Sequence, residues 1–190
     1  LLDQEVAIQP TQSFTCENGN YETENYINFS VKFSEDYLEN FSRIEEVAAF
    51  LEQAIGYDAI ELMVSNIRRD GDNRTVRFQE YARGMLVENC YVDAQLEGGS
   101  LKQLDGRLIL DENLTRLGQT SRNAVDALFA LADYLQGSEV TVTAIQPTIG
   151  VYLNTWDTYD SVPVYVIKTA GGVAYRVDMD GEVSLNAPTV

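Results

Sequence analysis

Twice along its length the chain runs through one succession: apolar residues at helical spacing, a glycine stop, then short segments in which apolar and polar residues alternate between turn formers. Helical and strand periods cannot be satisfied by one element, so each succession calls for a helix followed by a meander of strands that each bury one face. In the first, Ser42-Arg-Ile-Glu45 matches a capping box, and Ile44, Val47, Ala48, Leu51, Ala54 and Ile55 form the stripe that Gly56 ends. Ahead of it, Tyr26–Phe33 alternates as a strand does. Behind it, Ile60, Leu62 and Val64 lead toward Arg69, Asp70-Gly-Asp-Asn73 reverses the chain, and Val76 and Phe78 resume the alternation. Gly84 marks a second reversal, after which Cys90, Val92, Ala94 and Leu96 share one face and Asp93, Gln95 and Glu97 the other. Glu97-Gly-Gly-Ser100 then turns into a last strand near Leu101–Leu110.

In the second succession, Val125, Leu128, Phe129, Ala132 and Leu135 form a stripe opened near Thr120 and stopped by Gly137. Strands are predicted around Val140 and Val142, around Ile149, Val151 and Leu153, around Val164 and Val166, and around Val173, Tyr175 and Val177. Ala170-Gly-Gly172 and Asp180-Gly181 supply turns. The predicted fold class is α+β, with two tandem modules, each a helix packed on an antiparallel meander. Residues 1–41 form an N-terminal segment whose strand joins the first module, 42–115 the first module and 116–190 the second, with the boundary in the aperiodic stretch Asp111–Gln119.

The charge balance narrows the function. Thirty acidic residues against 13 basic ones give a formal charge of −17, which repels phosphate backbones and anionic lipid, and no basic patch compensates. Nucleic acid is therefore not an expected partner. No run reaches the roughly 18–20 apolar residues that cross a bilayer. The chain opens on Leu1-Leu2-Asp3 rather than Met, so the expectation is a cut end, with any signal peptide or membrane anchor upstream.

Catalytic chemistry finds little material. Histidine is absent, which removes the commonest general base, the His-dependent triads and the imidazole ligands of most catalytic zinc sites. Cys90 falls on an apolar strand face with no activating base nearby in sequence. Cys16 and Cys90 either close one disulfide, worth about 4 kcal/mol in the loop-entropy model, or remain buried thiols. Asp178-Met-Asp-Gly-Glu182 resembles the start of a calcium loop but lacks the later ligands of one, so it reads as a hairpin turn; no metal and no cofactor are expected. Gly98-Gly99 and Gly171-Gly172 are turns rather than phosphate-binding loops. Carboxylates are plentiful enough for a glycosidase pair, whose separation the sequence does not measure. Tyr152, Trp156 and Tyr159 gather around an acidic loop and form the best binding candidate, against the alternative that they pack between modules.

Arg77-Phe-Gln-Glu-Tyr81, Gly84, Val87, Tyr91-Val-Asp93 and Asp105-Gly106 together resemble PepSY and thermolysin-type propeptide modules, which carry a Gln- and Tyr-containing strand, a Gly turn, a Val strand and a later Asp-Gly turn. Val173-Ala-Tyr-Arg-Val-Asp-Met-Asp-Gly-Glu-Val183 resembles the end of a second such module, and the tandem arrangement is similar to extracytoplasmic YycI/YycH-type regulators of Gram-positive bacteria. The resemblance implies a noncatalytic, secreted or membrane-anchored protein that regulates a partner, such as a membrane sensor kinase, by contact. The alternatives are a propeptide-like protease inhibitor and, behind it, a carboxylate-dependent glycoside hydrolase.

Overall fold

The computed structural model describes residues 14–16, 19–21, 26–33, 41–55, 60–109, 114, 123–153 and 159–186. A small antiparallel pair, β1 (Phe14–Cys16) with β2 (Gly19–Tyr21), stands apart from the main sheet. Among the described residues the main sheet has nine strands: β3 (Tyr26–Lys32), β4 (Glu61–Asp70), β5 (Asn73–Ala82), β6 (Met85–Glu97), β7 (Ser100–Ile109), β8 (Val142–Leu153), β9 (Tyr159–Thr169), β10 (Ala174–Val177) and β11 (Val183–Leu185). Helices α1 (Ile44–Ile55) and α2 (Ala124–Leu135) complete an α+β fold on a mostly antiparallel sheet.

The expected meander is present as β4-β5-β6-β7, each strand antiparallel to the next. Its turns follow local chemistry. Arg83 and Gly84 both adopt positive φ, as a tight two-residue hairpin requires, and bring Ala82 opposite Met85. β3 adds to the outer side of β7, with Phe29 directly opposite Gly106. A Cβ at Gly106 would collide with the Phe29 ring and stand 2.8 Å from the Tyr91 carbonyl oxygen, so glycine is what lets the ring lie across the strand. Asp105-Gly106 therefore sits in the middle of β7, not at the turn that the family resemblance implied.

Helix α1 buries Val47 and Leu51, with Ile44, Ala48 and Ile55 at the margin, against Phe78, Val92, Leu101, Leu104 and other sheet residues. The stripe read from sequence is thus the buried one; Gly56 and the Ala54 side chain lie outside the described residues. The cap differs by one residue: Glu46, not Glu45, accepts the Ser42 and Arg43 amides, at 2.9 and 3.1 Å. These bonds, the Arg43 amide foremost, hold the Glu46 carboxyl below its ordinary range.

Strand β6 is the branch point. Leu86 and Val87 pair in parallel with Thr148 and Ile149 of β8, whereas Tyr91–Glu97 pairs with β7. Between those stretches the β5 register jumps, from Gln79 opposite Tyr91 to Tyr81 opposite Leu86, and Asn89 takes a left-handed conformation. Gln79 spans the bulge, its Nε2 donating to the carbonyls of Val87 at 3.0 Å and Cys90 at 2.6 Å. Beyond the branch, β8-β9-β10-β11 run antiparallel to one another. A small core of Ala82, Val87, Cys90, Ile109, Leu114 and Ile149 lies between the α1 core and the α2 core.

Candidate binding surface

The α2 helix departs furthest from its sequence reading. It is opened by Asn123 rather than near Thr120: Asn123 Oδ1 accepts the amides of Val125 and Asp126, and Asp126 completes the capping box. Its core face is Ala127 and Leu131, at 0% and 2% exposure, flanked by Ala124, Ala130 and Leu135. Of the predicted stripe, Val125, Leu128 and Phe129 are 57%, 36% and 66% exposed, Ala132 is exposed as well, and Leu135 alone borders the core. The predicted face is rotated from the buried one by about one residue, ~100° of arc.

Volume explains the choice. The sheet under α2 projects Tyr165, Ile167, Tyr175 and Val177, and such bulk is accommodated by alanines, which let the helix approach the sheet closely. The larger side chains of the helix are left facing outward. The helix stop is Gln136, which is left-handed and followed by Gly137, also at positive φ.

Beside this outward face runs an open groove of about 500 Å³ between α2 and the turn before β11, lined by Asp126, Phe129, Ala130, Asp133, Tyr134, Asp180, Gly181 and Val183. Phe129 belongs to both the exposed stripe and the groove wall. The far wall is held in shape by Asp178, whose Oδ1 accepts the amides of Asp180 and Glu182 at 2.9 and 2.8 Å. That closes the segment likened to a calcium loop as a side-chain-capped turn.

The aromatic candidates are only partly visible. Tyr152, near the end of β8, is half-buried under the Arg176 guanidinium, whose carbon lies 4.7 Å from the ring centre. Tyr159 opens β9 with its backbone opposite Leu153, but its side chain, like all of Trp156, lies outside the described residues. Arg176 also forms an ion pair with Glu88 on the β6 bulge, so β10 is tied to the β6 branch point. Gly150 leaves room for both groups, since a Cβ there would stand 3.0 Å from Tyr152 and 3.3 Å from Arg176. Burial lowers the Arg176 pKa and, with Asp178 nearby, raises that of Tyr152. Tyr152 thus packs against Arg176 within the fold.

Cys90 is a free thiol, fully buried, and burial holds its pKa well above the ordinary value. The side chain of Cys16 lies outside the described residues. Sequence reasoning missed what Cys90 faces: Glu80, also fully buried, accepts the Ile109 amide through Oε2 at 3.1 Å, while Oε1 has no hydrogen-bond partner among the described residues. Burial pushes the Glu80 pKa up to about 8, so the carboxyl carries its proton at neutral pH. Its place in the alternation, on the same strand face as Val76 and Phe78, was the available signal. Among the described residues, no group of three acidic or cysteine side chains is arranged to hold a metal ion.

No family model matches the chain, and no curated protein does. Among solved structures, the chain is similar to the C-terminal domain of Bacillus megaterium YpeB, at 14% identity and a TM-score of 0.36, over 91% of this chain and 80% of that one.

Proposed function

We propose that the protein is a noncatalytic regulatory or binding module that acts through protein contact. The observation that carries this reading is the outward apolar face of α2, where Val125, Leu128 and Phe129 stand in solvent beside a groove. Large side chains gathered at helical spacing on one exposed surface are what a partner buries. An extracytoplasmic setting, two tandem helix-on-sheet modules divided near residues 111–119, and a partner such as a membrane sensor kinase rest on the resemblance to PepSY and YycI/YycH-type proteins. A photo-crosslinker at position 129 should trap a protein partner in cells, whereas one at position 95, on the polar sheet face, should not. Equal yields from the two positions would overturn the reading.

A second reading, propeptide-like inhibition, is favoured by β4. Among the described residues this ten-residue strand ends the sheet, and Met63, Val64 and Ile67 are exposed along it. Strand addition to a protease groove uses such an edge. Titration of thermolysin-like proteases tests it, and no inhibition at micromolar protein removes it.

A further inference from the structure

We propose that the groove between α2 and the Asp178–Val183 turn receives a cationic, amphipathic segment of the partner protein; this rests on the reading of the chain as a protein-contact module. The groove pairs two kinds of surface. Phe129, Ala130, Tyr134 and Val183 supply an apolar wall and floor, and among the described residues the charged ones lining it, Asp126, Asp133 and Asp180, are acidic. Asp126 and Asp133 lie seven positions apart on α2 and so share one side of the helix. Asp180 faces them from the turn.

A segment with one apolar side and flanking Lys or Arg would bury its apolar residues against Phe129 and set its charges beside the carboxylates. The same carboxylates work against other occupants. Anionic lipid would be repelled, and two α2 helices packed about a twofold axis would bring like charges together. Partner charge would act mainly on the association rate, and the Phe129 contact mainly on residence time.

The test is fluorescence anisotropy of the whole chain with three labelled helical peptides of one length, built from Lys/Leu, Ser/Leu and Glu/Leu. Phe129→Asp and Asp133→Lys are compared with Asp72→Lys, a control at the β4–β5 turn. Both groove positions are surface positions, so the variants should fold. The Lys/Leu peptide is expected to bind, with affinity falling at higher salt and at least about tenfold in each groove variant but not in the control. Equal weakening in Asp72→Lys would overturn the proposal, because it would show attraction to the acidic chain as a whole.

Binding of the Ser/Leu peptide that is lost in Phe129→Asp but unchanged in Asp133→Lys would also overturn it, while upholding α2 as a protein-contact surface. If Phe129→Asp weakens none of the peptides, the α2 reading fails together with the proposal. Self-association at low salt, abolished by Asp133→Lys, would replace the foreign segment with a second copy of this chain.

Discussion

Glu80 shows how much one side chain in an otherwise regular strand can set. Its carboxyl titrates near 8 in the folded protein against 4.5 as the ordinary value. A raised folded-state pKa means that Glu80 does not oppose folding below about pH 4.5, and that stability falls as pH rises from there to about 8. At about 1.4 kcal/mol per pH unit, the loss reaches about 3 kcal/mol at pH 7. Glu80→Gln should flatten this slope, and urea melts between pH 5 and 8 read the difference; an unchanged slope would place the proton elsewhere. Cys90, beside it, should resist alkylation in the native state and react once the chain unfolds. Denatured, unreduced protein should show Cys90 as a reactive thiol, and its absence from the thiol count would mean a bond to Cys16. Gly106→Ala should destabilise by about 1–3 kcal/mol, because the new methyl would meet Phe29 and the Tyr91 carbonyl inside a ladder that cannot yield freely. None of these environments is written in residue identity. Glu80 alternates like any core residue, and Gly106 looks like a turn.

At the level of whole elements, α1 and α2 make an instructive pair. Both helices were legible as helices, and α1 buries the stripe that its spacing marks. In α2 two stripes compete, Ala124, Ala127 and Leu131 on one side and Val125, Leu128 and Phe129 on the other. Hydrophobicity alone favours the bulkier one. The sheet beneath reversed that preference because Tyr165 and Tyr175 already occupy the space. Leu131→Ala should therefore cost about 2–5 kcal/mol, whereas Phe129→Asp should stay within about 0.5 kcal/mol of the wild type. Chemical denaturation of the two variants checks the orientation directly, and a large loss from Phe129→Asp would put the helix the other way round. Strand ends were legible where turn formers such as Gly84 and Gly98-Gly99 mark them, whereas the separate strands expected around Val142 and around Ile149–Leu153 are one continuous β8.

Across the whole molecule, β6 and β8 meet through little backbone: the parallel pairing of Leu86 and Val87 with Thr148 and Ile149. The Glu88–Arg176 ion pair and the Arg176–Tyr152 stack reinforce that seam. A double-mutant cycle of Glu88→Gln with Arg176→Met should return a coupling of about 0.5–3 kcal/mol. Hydrogen exchange in the single variants should quicken at Leu86, Val87, Thr148 and Ile149 ahead of the α1 core. No coupling would mean that the seam is held by the small core around Ile149 instead. The class of the fold, the order of its elements, the hairpin turns and the lack of imidazole chemistry follow from local periodicity, turn propensity and composition, all of which act over a few residues. Which face of α2 is hidden, what charge state Glu80 keeps and where β6 divides depend on side-chain volume and dielectric supplied by residues distant in the chain. Those quantities come into being once the strands have assembled, so they belong to the packed molecule.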